Sequence, residues 1–292
     1  LHDALPISYQ NTSSNPFASR TVSVRLTDGD GGASDAKFIT LNITAAVDGA
    51  VPRGLEKTVN TTVAGNQVEP SIAHLAAGGY VVVWTDQGGA DGSSYGVYGQ
   101  RYDADDNAVG TEFRVNSTTN SGQYEARVVG LTNGGFVAVW RSDNQDGSSA
   151  GVYAQRYDAA GNTVGAEFRV NTTTSGTQYH NNVAAYTGGY VVTWYSNGQD
   201  GGGYGVYAQR FDNAGNPVLT GGSNEFRVNT FTSSSQYEPD VAAFADGRFV
   251  VVWRSDGQDG SGGGVYAQRF DAAGAALGGE FRVNTTTDSN QS

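Results

Sequence analysis

A block of roughly 55 residues recurs through most of this chain, and no other feature limits the fold as tightly. Glu112-Phe113-Arg114-Val115-Asn116 returns at Glu167, Glu225 and Glu280, with a diverged copy running from Glu56 to Asn60. The successive spacings are 56, 55, 58 and 55 residues. All four tryptophans, Trp84, Trp140, Trp194 and Trp253, fall at one position of the block. Val-Tyr-x-Gln-Arg begins at Val97, Val152, Val206 and Val265. Gln67, Gln123, Gln178 and Gln236 open the units, and Gln291 opens another.

Each unit reads as four strands. The first follows the Gln, as from Tyr237 to Phe244; the second is an apolar run ending in Trp, such as Phe136 to Trp140. The third alternates, as from Val152 to Tyr157, and the fourth is the Glu-Phe-Arg-Val-Asn segment. A strand apolar on both faces is buried on both, whereas alternation marks a half-exposed strand. A four-stranded meander with a buried second strand fits a propeller blade packed between two neighbours. Asp158-Ala159-Ala160-Gly161-Asn162 supplies the turn between the third and fourth strands. The rival, a string of small sandwiches, is disfavoured because the unit is short for an independent one. The expected fold is therefore all-β: four complete propeller-like blades at 61–116, 117–171, 172–229 and 230–284, with the start of a next unit at 285–292. Residues 56–60 read as an orphan outer strand, of the kind that closes a ring by joining the last blade.

Composition agrees. Of 292 residues 42 are Gly, 16 Tyr and 12 Phe, with neither Cys nor Met, so turns and aromatic strands dominate. Without Cys there is no disulfide framework, thiolate nucleophile or Cys-based zinc site. A formal charge of −12 opposes nucleic acid and anionic membranes as partners. No apolar run approaches the roughly 18 residues of a membrane-spanning helix. The absence of Met makes an internal piece of a longer protein the expectation. Residues 1–7 (Leu1-His2-Asp3-Ala4-Leu5-Pro6-Ile7) resemble the translation of a sequencing adapter, which would remove His2 and Asp3 from any site.

Residues 8–48 differ from the rest. An alternating run from Arg20 to Thr27 leads into an acidic loop with Asp28 and Asp30, and a second run spans Phe38 to Ala45. This resembles the last hairpin of a cadherin-like, immunoglobulin-type repeat, which implies calcium at such loop acids. The exit, Val47-Asp48-Gly49, departs from the Asn-Asp common in that family, and a linker at 49–55 follows. The units from 56 to 292 resemble repeats of very large exported bacterial proteins. That resemblance implies an extracellular or cell-surface setting, with a protein or glycan as partner, and no particular activity.

Four constellations bear on chemistry. After each Trp comes an acidic, Gly-rich loop: Asp143 with Asp146, Asp200, Asp256 with Asp259, and Asp91 in the first unit. Asp and carbonyl oxygens on such loops suit calcium, and the same residues suit Asx turns, the favoured reading. A row at Glu69, Glu125, His180 and Glu238 would ring one mouth if the first strand lines the axis, holding a cation or sugar hydroxyls; solvated side chains are the plainer expectation. The Trp ladder reads as blade-to-blade packing rather than sugar stacking, for which Tyr95 and Tyr204 are better placed. Arg156 and Arg169 read as surface ion pairs or stacked arginines. Asn116, Asn171 and Asn284 stand in glycosylation sequons that matter only in a eukaryotic secretory pathway.

Catalytic motifs are absent, and the acids recur in every unit, which favours multivalent binding over one active site. The expectation is a non-catalytic binding or structural module of an extracellular, adhesin-like protein, with calcium as the cation it would take. The alternative is a glycan-binding or polysaccharide-degrading propeller with its active residues in further blades. Irregular blades around a unique polar pocket would favour that alternative.

Overall fold

The computed structural model describes residues 19–24, 37–42 and 56–287, and the chain divides into two compact units, Leu1–Lys57 and Thr58–Ser292. In the first unit, β1 (Ser19–Val24) and β2 (Lys37–Asn42) form an antiparallel hairpin in unbroken register. Residues 1–7, the loop with Asp28 and Asp30, and the linker lie outside the described residues.

The second unit consists of four antiparallel sheets in sequence order. They are β3 (Gln67–His74) to β6 (Ala108–Arg114), β7 (Gln123–Gly130) to β10 (Thr163–Arg169), β11 (Gln178–Tyr186) to β15 (Glu225–Arg227), and β16 (Gln236–Ala243) to β19 (Phe281–Arg282). Each is a meander, so the expected all-β, propeller-type blades are present, and among the described residues no helix is long and apolar enough to cross a membrane. An insertion in the third sheet splits its outermost position into β14 (Pro217–Val218) and β15, both pairing with β13 (Tyr204–Asp212).

Alternate residues of the second strands supply the cores between sheets. On β8 (Phe136–Asp143), Phe136, Ala138 and Trp140 face the first sheet, whereas Val137 and Val139 face the third. Trp140, Trp194 and Trp253 are completely or almost completely buried there, so the Trp ladder is packing. In every sheet the Trp pairs across the ladder with the Tyr of Val-Tyr-x-Gln-Arg, as Trp140 does with Tyr153. The third strands are not half-exposed as their alternation implied: β9 (Ala150–Tyr157) is buried along nearly its whole length. Its polar Gln155 goes inside because its amide donates to the carbonyls of Arg156 and Gly165. The outermost strands face solvent, as β10 does.

Neighbouring sheets are tied together by the repeated motif. Asn171 Oδ1 accepts from the Val152 amide at 2.7 Å, while its Nδ2 donates to the carbonyl of Thr173 and to Gln178 Oε1. Asn116 and Asn229 do the same in their blades. The amides of Asn116 and Asn171 are thus buried and fully engaged, so these two sequons present no free amide nitrogen. The motif's Glu caps the loop that enters its own blade: Glu167 accepts from the amides of Ser117 and Thr118, and Glu225 from those of Thr172 and Thr173. Arg156 and Arg169 bond carbonyls rather than acids, which corrects the ion-pair reading of these two. Arg169 Nε donates to the Asn171 carbonyl, and Arg101, Arg156 and Arg210 reach turn carbonyls of the following blade. Residues 56–60 form no strand. Asn60 nevertheless repeats the Asn bonds to Thr62 and Gln67, and the Val59 carbonyl accepts from Tyr102 as the Val115 carbonyl does from Tyr157. They take the place of an outer strand beside the first blade; the fourth blade's outer place is held by β19.

Candidate functional site

Antiparallel order puts the start of each first strand, the end of each second strand and the loop after it at one end of the blade. Every first strand carries a β-bulge there, between Val68 and Ser71, Tyr124 and Arg127, Tyr179 and Asn182, and Tyr237 and Asp240. The bulged residues are Glu69, Glu125, His180 and Glu238, with φ of 55°, 58°, 45° and 54°. Left-handed backbone at non-glycine residues is costly, and its repetition at one position aims four side chains alike. The row is chained across blades: the Glu125 amide donates to Glu69 Oε2, and the His180 amide to Glu125 Oε2, each at 3.0 Å. Glu69, His180 and Glu238 are exposed, whereas the Glu125 side chain is only 14% exposed.

The residue after each Trp stands beside this row, and here the repeat is broken: Thr85, Arg141, Tyr195 and Arg254. The Arg141 guanidinium lies between the rings of Tyr124 and Tyr179, 4.5 and 4.3 Å from their centroids. It bonds Asp143 at 3.0 Å and stands 3.8 Å from Glu125. Arg254 lies over Tyr237 and bonds Asp256. Tyr195 takes the same place in the third blade, 5.3 Å from Tyr179, 5.1 Å from Tyr204 and 6.3 Å from Tyr237, and the His180 ring stacks on it. Tyr95 meets Tyr124 edge-on. The first blade has Val68 and Thr85 at the two strand positions, and the ring it brings to this wall is Tyr95.

Burial and neighbouring carboxylates hold the phenols of Tyr124, Tyr195 and Tyr237 neutral. Burial, then the hydrogen bond to Asp143, pushes the Tyr124 hydroxyl well above its ordinary value. Burial and the bond to Asp256 raise Tyr237 to about 12. Tyr195 is raised by burial and then by the charge of Glu125, with Glu238 also contributing. Carboxylates from the second and fourth blades therefore bear on one ring of the third.

The acidic loops are built differently from a shared cage. Asp91, Asp146, Asp200 and Asp259 each accept, through Oδ1, the amide two residues on, closing an Asx turn at 2.9 to 3.1 Å. The other oxygen of Asp146, Asp200 and Asp259 is buried with no donor among the described residues, while that of Asp91 accepts weakly from Asn116. Asp143 and Asp256 turn instead to the arginines and tyrosines of the wall. Each loop thus brings one carboxylate, half of it used by the turn, and calcium there would take the rest of its roughly six to eight oxygens from loop carbonyls and water. No cluster of three or more His, Asp or Glu that could hold a metal occurs among the described residues. Sequence reasoning found the Glu row, Tyr95 and Tyr204. It missed Arg141, Tyr195 and Arg254, whose signal was the change from blade to blade at the position after each Trp.

No protein-family model matches the chain, and no curated protein matches it. Solved structures do resemble it. One is a protein of unknown function from Dyadobacter fermentans, with a TM-score of 0.51 at 11% identity over 79% of this chain and 74% of that one. Another is an alpha-L-arabinanase from Penicillium chrysogenum complexed with arabinobiose, with a TM-score of 0.53 at 15% identity over 77% and 68%. A third is an alpha-L-arabinofuranosidase from Fusarium graminearum with an iminosugar inhibitor, with a TM-score of 0.51 at 12% identity over 74% and 66%. At such identities the likeness establishes the fold alone. The expectation of a non-catalytic module is corrected to this extent: the fold it was read from is shared with an arabinanase and an arabinofuranosidase, so it gives no ground for excluding an enzyme. The argument from repetition fails for a physical reason. The acids of the loops follow the repeat, but at the mouth the residue after each Trp and the third blade's bulge, His180, depart from it.

Proposed function

We propose that this protein is a carbohydrate-active propeller that takes a glycan at the mouth formed by the bulges of its blades and cleaves it there. One observation carries the reading: a wall of tyrosines and clamped arginines edged by carboxylates runs along one end of the blades, and the residue after each Trp changes along it from Thr85 to Arg141, Tyr195 and Arg254. Aromatic rings offer flat apolar faces to sugar rings, and carboxylates accept hydroxyl hydrogen bonds. Glu125 and Glu238, on either side of His180 in the row, are the pair to which hydrolysis is assigned. In such chemistry one carboxyl protonates the glycosidic oxygen while the other activates water or attacks the sugar carbon. The arabinobiose held by the Penicillium neighbour makes arabino-oligosaccharides the first substrates to try.

The test is to incubate the full chain with arabinan, xylan and their linear oligosaccharides and to measure new reducing ends. Hydrolysis is expected, falling by roughly a hundredfold or more in Glu125→Gln, the scale of a lost general acid or base. Absence of cleavage and of binding across that panel would overturn the reading; binding without cleavage would remove the catalytic half.

A further inference from the structure

We propose that His180, backed by Tyr195, is the specificity-determining platform of the mouth, on which one uncharged sugar ring of a longer glycan stacks. This deepens the carbohydrate reading above and rests on it. Two positions that carry charge or a hydroxyl in the other blades, the bulge and the residue after Trp, both become aromatic in the third blade, and the two rings meet. Where Glu125 faces Arg141 in the second blade, His180 lies 5.5 Å from Tyr195 with the ring planes 23° apart. Tyr195 is fixed from behind and beside by Tyr179, Tyr204 and Tyr237. His180 itself is exposed, so the pair forms a pedestal whose outer ring is turned to solvent.

Folding gives no account of the histidine. Glu69, Glu125 and Glu238 occupy the same bulge with the same sign and size of φ, so this backbone is made equally well with Glu. The exchange therefore alters what the mouth presents rather than how the blade is built. It removes a carboxylate and substitutes a flat ring at the one bulge with Glu125 before it and Glu238 after it.

Charge decides the class of sugar. The arginines of the wall are already committed, Arg141 to Asp143 and Glu125, Arg254 to Asp256. What surrounds the platform is carboxylate, and the chain as a whole carries a formal −12. Uronic acids and sulfated sugars are repelled from such a mouth, whereas neutral rings lose nothing and offer vicinal hydroxyls to the flanking acids. The wall continues from Tyr124 through Tyr179 and Tyr195 to Tyr237, across three blades, so further sugars of the same chain have rings to lie against.

His180→Glu is the decisive variant, because it restores the residue of the other three blades and preserves the fold. Calorimetric titration of the full chain would use neutral linear arabino- and xylo-oligosaccharides of increasing length, with an oligogalacturonate as the charged comparison. The expected result is an affinity that rises with length in the parent chain, drops by roughly tenfold or more in His180→Glu, and is largely kept in His180→Phe, with thermal stability unchanged throughout. Equal binding by the parent and His180→Glu would overturn the platform while leaving the carbohydrate reading intact, as would oligogalacturonate binding as tightly as the neutral chains. Failure of the parent to bind any of these glycans would remove both.

Discussion

At the scale of single residues, the side chains that recur most faithfully are polar and buried, and their work is to satisfy backbone. Asn171 is 1% exposed, and its one amide group joins strand three, the following loop and the Gln that opens the next blade. Replacing it by Ala leaves the Val152 amide and the Gln178 amide group without those partners in a place water does not reach. We expect Asn171→Ala to lower stability by about 3 kcal/mol, since each buried group stripped of its partner costs about 1 to 3 kcal/mol. Urea denaturation measures this, and a loss under 1 kcal/mol would mean the surrounding loops re-pair these groups. Gln178, itself fully buried, shows why Asn and Gln recur together: neither amide can be placed inside without the other.

At the scale of elements, each outermost strand holds the loop that enters its own blade, and this makes the fold sensitive to acid. Burial by itself would raise the Glu167 pKa, but hydrogen bonds from Thr118, Ser117 and Gln145 outweigh it and leave the pKa below the ordinary carboxylate value. Glu112 is depressed in the same way by Thr61 and Thr62. A carboxyl whose folded pKa is lowered stabilises fully above its unfolded pKa, and that stability is lost as pH falls through the lowered value. We therefore expect stability to decline as pH drops below about 4.5, with a shallower decline in Glu167→Gln; thermal melts across that range check it. An unchanged acid limb in the variant would assign the loss to other carboxyls. The strands themselves were legible in the sequence, because invariant Trp and Tyr sit at fixed offsets and the second strand is apolar on both faces. The burial of strand three was not, since Gln155 looks like an exposed residue until its carbonyl partners are known. The mouth was legible in its Glu row and in Tyr95 and Tyr204. That Arg141, Tyr195 and Arg254 complete it depends on a bulge in one strand meeting the end of another, a juxtaposition of β7 with β8, or β11 (Gln178–Tyr186) with β12 (Gly189–Asn197), that spacing does not reveal.

At the scale of the whole repeat unit, stability is shared between neighbours along the array, so one motif residue has different weight in different blades. Phe226, on the outermost strand of the third sheet, packs against Phe249 and Phe270 of the fourth, with ring centroids 6.4 and 5.6 Å away. Phe168 meets Phe211 in the same manner one blade earlier. Phe281 holds the equivalent place in the fourth sheet, yet it is 43% exposed, beside Leu277 and Phe244 around an apolar groove of about 280 Å³. If the interfaces are the units of stability, truncating the two phenylalanines must have unequal consequences. Phe226→Ala is expected to cost about 3 kcal/mol, in the range for aromatic truncation in a core. Phe281→Ala should change stability by less than about 0.5 kcal/mol, as for a surface residue. Denaturant titrations of the two variants side by side decide it. Equal losses would show that the fourth sheet's outer face is covered in solution, and would identify Phe281 as part of that contact.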